Sequence, residues 1–338
     1  MAEWKTYRLS QIVIMQNGKK RPNNIGNLFP IYGGNGILGY TNEYNAENVI
    51  IVGRVGAYCG NVYYCRNKCW VSDNAISIYA CEMIDTQFLF YLMSSLDLHN
   101  QHIGAAQPLM TQDIIGKFPV VVPPLLEQKR IAGILSALDD KIELNRRINA
   151  NLEAQAMTLY KHWFVDGRQE DWVEKKLGDF FDVITGKKDA NFATKDGIYP
   201  FFSCSQSILK ALDYSFDGAA ILVAGNGDFN VKRYIGKFEA YQRTYVLIPY
   251  ESKYHAFLYL LIKYHLPEIT GGSRGSVIKF ITKGNIADFA FTLPAENIDE
   301  KLKVLNDLFD VVDCNKKEIE TIASLRDTLL NRLISDDK

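Results

Sequence analysis

Polar side chains that can make several hydrogen bonds recur in the glycine-rich turns of this 338-residue sequence. Arginine, asparagine, glutamine and aspartate can form paired or donor-specific hydrogen bonds with base edges, and lysine supplies contacts to phosphates. The first half of the chain offers Lys19, Lys20, Arg21, Arg54, Tyr58, Asn61, Trp70, Asn74 and Gln107. The second half offers Lys187, Lys188, Asn226, Asp228, Lys232, Arg233, Gln242, Arg243 and Arg274. The pattern predicts two polar surfaces suited to nucleic acid.

Motifs for catalysis are missing from the sequence. It holds no Gly-x-x-x-x-Gly-Lys-Ser/Thr loop, which excludes ATP hydrolysis by that route. An Asn/Asp-Pro-Pro-Tyr/Phe segment, which would hold a target amine for methyl transfer, is also absent. Glu174-Lys175-Lys176, downstream of Asp166 and Asp171, has the outline of a nuclease site, but a solvated run of charges is the favoured interpretation. We expect no catalytic residue in this chain.

Metal binding is not indicated either. Four of the six cysteines lie between Cys59 and Cys81, but none forms a C-x₂-C pair, and the five histidines show no ligand spacing. We expect reduced structural thiols and no metal. Gly33-Gly34-Asn35-Gly36 and Gly225-Asn226-Gly227 are predicted to be tight turns, since glycine tolerates the backbone angles that such turns need.

The elements that carry the polar turns occur twice. Trp4 and Gly18-Lys19-Lys20 return 168 positions later as Trp172 and Gly186-Lys187-Lys188. Pro30 answers to Pro200, and Gly53 is matched with Gly225, so the offset widens to 172. A period this long indicates a duplicated domain. Two similar modules suit a ligand with two similar halves, and DNA with two half-sites is such a ligand.

Each copy runs from short strands into a long helix. Runs of β-branched and aromatic residues between glycine and asparagine clusters predict strands, and apolar residues at heptad spacing predict the helices. The first seam is Ile131, Leu135, Leu138, Ile142, Asn145, Asn149, Leu152, Ala156, Leu159 and Trp163. The second is Leu305, Leu308, Val312, Asn315, Ile319, Ile322, Arg326, Leu329 and Leu333.

The predicted fold class is α+β, with two tandem strand-rich domains separated by two long helices that form an antiparallel coiled coil. The predicted boundaries are 1–126 for the first domain, 127–166 for the central helix, 167–295 for the second domain and 296–338 for the last helix. Asn145 and Asn315 interrupt the apolar seams. They either fix the register as buried polar residues or stand at solvated edges.

Bulk properties limit the surroundings of the chain. The formal net charge is −1, so little counterion release is available and partner subunits are expected to strengthen any grip on DNA. No apolar run approaches the roughly 20 residues that a membrane span requires. Because Met1 is followed by Glu3 and Lys5 and not by an apolar leader, we expect a cytoplasmic protein without a membrane partner.

Several motifs make the chain similar to the specificity subunit of type I restriction-modification systems. They are Trp4-Lys5, Gly53-Arg54-Val55-Gly56-Ala57, Gly104-Ala105-Ala106-Gln107-Pro108, Pro123-Pro124-Leu125-Leu126-Glu127-Gln128-Lys129-Arg130, Phe164-Val165-Asp166 and Leu325-Arg326-Asp327-Thr328. The second copy departs from this pattern, with Gly272-Ser273-Arg274-Gly275 and Leu293-Pro294-Ala295-Glu296 at the corresponding places.

This resemblance implies two target-recognition domains, each reading one half of a split site in double-stranded DNA. It also implies helices that act as spacer and as dock for two methyltransferase (modification) subunits and a restriction subunit. Catalysis and its cofactors, S-adenosylmethionine, ATP and magnesium, would lie on those partners and none on this chain. Two alternatives stay open: a single-chain nuclease or methyltransferase fused to its own DNA reader, and a coiled-coil scaffold without a role on DNA.

Overall fold

The computed structural model describes residues 4–23, 26–101, 108–271, 279–296 and 298–334. The chain divides into two compact units. Unit 1 is Met1–Leu144 together with Glu318–Lys338, and unit 2 is Asn145–Lys317. Both long helices pass from one unit into the other, so each unit contains a strand-rich part and a portion of each helix.

Unit 1 contains a six-stranded sheet and a two-stranded ribbon. Its strands are β1 (Lys5–Arg8), β2 (Val13–Asn17), β3 (Phe29–Gly33), β4 (Gly36–Thr41), β5 (Ala46–Gly53), β6 (Val62–Val71), β7 (Ala75–Ala80) and β8 (Pro119–Val122). Its helices are α1 (Leu9–Ile12), α2 (Thr86–Ser95), α3 (Gln112–Gly116) and the first part of α4 (Leu125–Tyr160). The order in the large sheet is β2-β7-β5-β6-β3-β4, and β1 pairs with β8.

Unit 2 repeats this plan. Its strands are β9 (Val173–Lys176), β10 (Val183–Thr185), β11 (Tyr199–Phe202), β12 (Ile208–Ala211), β13 (Phe216–Ala224), β14 (Val231–Ala240), β15 (Thr244–Leu247) and β16 (Ala290–Leu293). Its helices are α5 (His255–Tyr264), α6 (Leu266–Gly271), α7 (Lys283–Ala287) and the first part of α8 (Asp299–Ile334). The order in the large sheet is β10-β15-β13-β14-β11-β12, and β9 pairs with β16.

The two sheets have the same strand order, with β2 to β7 of unit 1 corresponding to β10 to β15 of unit 2. The predicted duplication is therefore confirmed. The predicted fold class, tandem strand-rich domains with a long helix after each, is confirmed as well. Helices α4 and α8 are both 36 residues long, so they can be matched position by position. In each unit the central strand, β5 or β13, is buried on both faces, and one of these faces packs against the helix that follows the sheet, α2 or α5.

Register in the sheets corrects one of the sequence matches. Tyr32 pairs with Val71 and Phe202 with Ala240, which confirms the match of Pro30 with Pro200. The match of Gly53 with Gly225 is wrong by one residue. Met110 N–H donates to Arg54 O at 2.8 Å and Ile281 N–H donates to Gly225 O at 3.0 Å, so Gly225 corresponds to Arg54. The mismatch comes from pairing Gly53 with Gly225 because both are glycines. The hydrogen bonds instead make Gly56 equivalent to Gly227, and these two residues share a positive φ of 74° and 73°.

The predicted helical seams are buried or half-buried along their whole length. Helix α4 begins at Leu125, slightly before the predicted boundary at residue 127, and its last turns continue as a π-helix over Lys161–Asp166 before Gly167 ends them. Within unit 1, Asp139 bonds Arg326 and Lys141 approaches Glu318. A later residue of α4 therefore contacts an earlier residue of α8. The pairing is antiparallel, as the heptads predict.

Each long helix is tied by an amide side chain to the start of the helix that packs on its sheet. In unit 1, Gln128 is buried and its Nε2 donates to Met83 O at 3.1 Å and to Pro123 O at 2.8 Å. Its Oε1 accepts from Asp85 N–H at 2.8 Å, and the Asp85 carboxylate in turn caps α2 by accepting from Phe88 N–H. The Gln of the Pro-Pro-Leu-x-Glu-Gln segment therefore joins helix to domain.

Unit 2 makes the same tie with another residue. Leu302 stands at the helix position of Gln128, and Asn306, one turn later, takes over. Its Nδ2 donates to Lys253 O at 2.7 Å and its Oδ1 accepts from Ala256 N–H at 3.3 Å, at the start of α5. The second copy thus lost the sequence motif but kept the contact.

Candidate nucleic-acid interface

The predicted residues of unit 1 come from loops that meet beside the ends of the strands. Arg54 N–H donates to Asn74 O at 2.9 Å, and Gly53 N–H donates to Asn61 O at 2.8 Å. Trp70 Nε1 donates to Lys19 O at 3.4 Å. These bonds bring five of the predicted residues into connected loops, although they lie up to 55 positions apart in the sequence.

A tyrosine clamp holds the loop that follows β3. Tyr63 OH donates to Gly34 O at 3.3 Å, and Asn61 Nδ2 donates to Tyr63 OH at 3.2 Å. Gly53 lies against the same loop, and a Cβ added there would stand 2.2 Å from Tyr58 O and 3.1 Å from Gly34 Cα. Only glycine fits at position 53, so the backbone there can lie close to both Gly34 and Tyr58.

Exposure separates the unit 1 residues into two groups. Five are exposed, namely Lys19, Lys20, Arg21, Tyr58 and Asn74, and three are half-buried, namely Arg54, Asn61 and Trp70. Arg21 Nη2 donates to Leu38 O at 3.0 Å, which ties its loop to β4. Asn61 is occupied by the clamp. Gln107 lies outside the described residues.

Unit 2 builds the same frame of loops. Gly225 N–H donates to Arg243 O at 2.8 Å, and Gln242 N–H donates to Lys188 O at 2.9 Å. The amide of Gln242 also donates from Nε2 to the Asp189 carboxylate at 2.7 Å. Lys187, Gln242, Arg243 and Asp228 are exposed, while Lys188 and Asn226 are half-buried. Arg274 lies outside the described residues.

The clamp recurs in unit 2 with a lysine in place of the tyrosine. Lys232 Nζ donates to Ser205 O at 2.7 Å and to the Asn230 side-chain oxygen. Asn230 Nδ2 donates to Cys204 O at 2.7 Å. Strand register equates Tyr63 with Lys232, since Ile51 and Leu222 are their partners on the central strands. Burial lowers the pKa of Lys232. Lys232 is thus a loop clamp, and its ammonium is engaged by protein oxygens.

Two lysines of unit 2 lie over aromatic rings. Lys187 Nζ is 5.2 Å from the ring centroid of Phe216, and Lys188 Nζ is 4.5 Å from that of Phe192. The ring faces attract the ammonium groups and hold the flexible side chains near the surface. Both charges remain available to a phosphate.

Arg233 contacts helix α8 and not the loops. Its side chain is 4% exposed and forms two hydrogen bonds with the Asp313 carboxylate of α8, at 2.8 and 2.7 Å. The Nε of Arg233 makes no hydrogen bond but is buried, so the guanidinium offers no accessible edge to a base, and we correct its assignment to a link between sheet and helix. Sequence reasoning missed this role because it could not tell which face of β14 Arg233 occupies.

The clamp residues Tyr63 and Asn230 were also missed. One signal was present, because Asn61 and Asn230 are separated by 169 positions, which is the offset of the surrounding strand. An asparagine at equivalent positions of both units, beside a glycine-rich turn, suggests that its side chain makes an equivalent hydrogen bond in each. Its partners, Tyr63 and Lys232, differ in type and so gave no visible match.

The cysteines lie apart from these loops or bond to them as thiols. All six are free, and Cys59, Cys65 and Cys69 are buried. The Cys69 thiol hydrogen-bonds the Cys65 sulfur, and this lowers the pKa of Cys65 to about 7. Across the described ranges, no group of three or more His, Cys, Asp or Glu side chains lies close enough to hold a metal ion.

The segment with the outline of a nuclease site, Glu174-Lys175-Lys176, forms most of strand β9 and is exposed. Lys176 Nζ is 3.6 Å from the Asp288 carboxylate, which makes an ordinary surface ion pair. Nor does any helix among the described residues combine the length and the apolar character needed to cross a bilayer.

A family model described as "Type I restriction modification DNA specificity domain" matches residues 1–154 and again residues 169–324. The chain belongs to this family. The two matches fall on the two copies of the repeat, so this type I specificity protein carries two such domains. The resemblance drawn from the sequence motifs is confirmed.

Relatives of known kind agree with this assignment. The chain is 43% identical over 159 residues to the type I restriction enzyme EcoDI specificity subunit of Escherichia coli, covering 46% of this chain and 35% of that subunit. It is 21% identical over 323 residues to the MjaIX specificity subunit of Methanocaldococcus jannaschii, covering 81% of this chain and 74% of that subunit. The chain therefore matches about a third of the first relative's length and about three quarters of the second's.

A solved structure shares the fold. The crystal structure of the type I restriction-modification system S subunit from M. genitalium superimposes with a TM-score of 0.64 at 18% identity, covering all of this chain and 97% of that one. At this identity the likeness speaks for the architecture, and the side chains that would contact a ligand must be argued from this chain alone.

Proposed function

We propose that this protein is the DNA-reading subunit of a type I restriction-modification complex and that each unit reads one half of a bipartite site. The observation that carries the proposal is the repeated loop frame: both units hold equivalent loops with equivalent backbone bonds, while the exposed side chains on them differ. A constant frame with changed side chains is what two readers of different base sequences require.

The differences between the two loop sets predict unequal half-sites. Arg54 of unit 1 corresponds to Gly225 of unit 2, so a guanidinium in one surface is replaced by bare backbone in the other. Asp228 is exposed in unit 2, and a carboxylate can accept from the amino group of cytosine but repels phosphate. The two surfaces therefore present different donors and acceptors to the major groove.

The proposal is tested by selecting bound duplexes from a random library with the chain and its methyltransferase partner together. The expected result is one consensus made of two different half-sites with a fixed number of unspecified base pairs between them. A continuous consensus, or none, would overturn the proposal. The library is needed because each half-site sequence depends on how the loops enter the groove.

Partner subunits and cofactors are part of the same proposal. With a net charge of −1, the chain has little electrostatic attraction for DNA, which favours binding as an assembly. We place two methyltransferase subunits on it because α4 and α8 are equal in length and equivalent in the repeat. Native mass spectrometry of the complex should give two such subunits per chain, and a single one would contradict the symmetry.

We place the chemistry on the partners, with S-adenosylmethionine on the modification subunits and ATP and magnesium on a restriction subunit. In this scheme the present chain is non-catalytic and contributes recognition only. The purified chain, assayed alone with each cofactor and duplex DNA, should give neither cleavage nor methyl transfer. Activity that survives further purification and mutation of partner genes would refute this division of labour.

A further inference from the structure

An ion pair between the buried Arg233 side chain and the half-buried Asp313 joins helix α8 to strand β14 within unit 2. Arg233 Nη1 and Nη2 donate to the two oxygens of Asp313 at 2.8 and 2.7 Å, and the guanidinium carbon lies 4.6 Å from the centroid of the Phe309 ring. A paired bond of this kind fixes orientation as well as distance, because both groups are planar. The strand cannot rotate or slide on the helix without breaking it.

The neighbouring residue on the same strand reaches the recognition loops. Lys232 points to the opposite face of β14, since successive strand residues alternate. Its Nζ holds Ser205 O at 2.7 Å, in the loop 203–207. That loop also contacts a predicted DNA residue, because Cys204 Sγ donates to Arg243 O at 3.3 Å. Arg233, which binds helix α8, and Lys232, which binds the loop, are thus adjacent residues.

Unit 1 does not make this connection in the same way. Asp139 is the fifteenth residue of α4, as Asp313 is of α8. Asp139 accepts from Tyr91 OH at 2.6 Å and from Arg326 Nη1 at 2.7 Å, neither of which lies on β6. Tyr64, the counterpart of Arg233, instead donates from its OH to Asn48 Oδ1 at 2.7 Å. Arg66 of β6 does approach the Asp140 carboxylate of α4 at 3.4 Å, but both side chains are exposed, and Arg66 is not adjacent to the clamp residue Tyr63. Within the described part of the chain, a helix anchor next to a loop clamp on the same strand is therefore found in unit 2.

We infer that Asp313 is a positioning residue for the recognition surface of unit 2, acting through Arg233 and Lys232 on the loop 203–207. The inference rests on the proposed function. Removing the Asp313 charge leaves a guanidinium in a buried site without its counter-charge, which is costly enough to move the strand that carries it. Because Lys232 is the next residue, the loop beside Arg243 loses its fixed position.

The test is Asp313→Asn in the full complex with the methyltransferase partner. Affinity is measured for the selected duplex and for duplexes with single base changes in each half-site. The expected result is a loss of about tenfold in discrimination at the half-site read by unit 2, with discrimination at the other half-site unchanged. Arg243→Ala in the same assay identifies which half-site belongs to unit 2.

Two matched variants serve as controls. Asp310→Asn removes an exposed carboxylate from the same helix, and Asp139→Asn removes the equivalent carboxylate from unit 1. Both should leave discrimination at the half-site of unit 2 as it is in the unmodified protein. If either lowers it as much as Asp313→Asn does, the effect is general to the helices and the inference is overturned.

The outcomes separate this inference from the proposed function. If the unmodified complex selects no bipartite site, the proposed function fails. If it selects one and Asp313→Asn discriminates equally well, the inference alone fails. Lys232→Met keeps the ion pair and removes only the clamp, so it tests the link even where Asp313→Asn does not fold. Lys232→Met should also lower discrimination at the half-site read by unit 2. Unchanged discrimination in this variant would overturn the inferred link from helix to loop.

Discussion

Asn149 of helix α4 and Asn315 of helix α8 are joined side chain to side chain. Asn315 Nδ2 donates to Asn149 Oδ1 at 2.8 Å, and Asn149 Nδ2 donates to Val312 O at 3.2 Å. Asn145 is buried further along the same seam. Asn145 therefore does not stand at a solvated edge, and Asn315, which is half-buried, is paired across the seam. Of the two interpretations that the seams allowed, register-fixing polar contacts agree with this geometry.

This pair predicts a measurable coupling between the two helices. Asn149→Ala and Asn315→Ala should each destabilise the protein, and the double variant should lose less than the sum by about 1 kcal/mol, because the bond is lost only once. Urea unfolding of the four proteins measures the difference. Asn151→Ala, at an exposed position of α4, is the control. Strictly additive losses would show that the bond contributes nothing.

The amide ties between helix and domain should be important for stability in both units. Gln128→Ala should lower the free energy of unfolding by about 2 kcal/mol, because it leaves the Asp85 N–H and two carbonyl oxygens unpaired in a buried site. Asn306→Ala should lower it by about 1 kcal/mol, because its bonds to Ala256 N–H and Lys253 O are more accessible to water. Thermal unfolding of both variants is compared with that of Gln155→Ala, an exposed glutamine of α4. If only Gln128→Ala is destabilised, Asn306 does not replace it.

The tyrosine clamp of unit 1 predicts an effect from the loss of a single oxygen. Tyr63→Phe removes the donor to Gly34 O and the acceptor for Asn61, and should cost about 1 kcal/mol of stability. In the full complex it should also weaken discrimination at the half-site read by unit 1. Tyr40→Phe, at an exposed tyrosine of β4, gives the background for stability. A Tyr63→Phe protein with unchanged discrimination would show that the loop is held by its backbone bonds alone.

Phosphate contacts should appear in the salt dependence of DNA affinity. Lys19→Gln and Lys188→Gln should each weaken binding to all duplexes alike and reduce the slope of log affinity against log salt by about one. Titrations at several salt concentrations measure the slope. Lys129→Gln, an exposed lysine of α4, is the matched control. A change confined to one base sequence would indicate base reading by that lysine.

Stability should fall in mild acid because of His255. This residue is 3% exposed, and its Nε2 lies 3.3 Å from Ala220 O. Burial, together with the nearby Arg233 charge, lowers its pKa to about 4, whereas an unfolded histidine titrates near 6.5. The unfolded state therefore binds the extra proton first. The stabilisation is complete above about pH 6.5 and is lost as the pH falls towards about 4.

The loss over this window is on the order of 3 kcal/mol, from the difference between the two pKa values. Unfolding in urea at about pH 7.5, 6.5, 5.5 and 4.5 would record it, in even steps across the titration. His255→Gln should reduce the dependence of stability on pH between about 6.5 and 4.5. Carboxylates titrate in both proteins, so their contribution cancels when the variant is compared with the unmodified protein. An unchanged profile in the variant would place the pH dependence elsewhere.

The sequence was sufficient for the architecture because the signals that specify it are periodic. The heptad pattern extends over nine positions of α4 and over Trp163 in the π-helix that follows, and the paired landmarks extend from Trp4 to Gly18. Such repeated signals tolerate an error at a single position, and both were confirmed. Helix α4 begins at Leu125, directly after Pro123 and Pro124, because proline is tolerated just before a helix but not inside it.

Side-chain roles at the candidate interface were harder to predict. Whether Arg233 faces a helix or solvent depends on strand register, and a shift of one residue reverses the answer. Lys232 and Arg233 are adjacent basic residues that looked alike in the sequence, yet one holds a loop and the other a helix. For the exposed lysines and for Arg243, the role in DNA contact stays a prediction, because it depends on a ligand.

The division of the chain into Met1–Leu144 with Glu318–Lys338 and Asn145–Lys317 has a consequence for biosynthesis. Unit 2 is continuous, so all its parts have left the ribosome once Lys317 has emerged. Unit 1 is made first but must wait for the last turns of α8, including Arg326, to be translated. During that interval the part of the α4 seam that belongs to unit 1 is uncovered in the nascent chain. A premature stop after Lys317 would therefore damage unit 1, although the strand-rich part of that unit had already been translated.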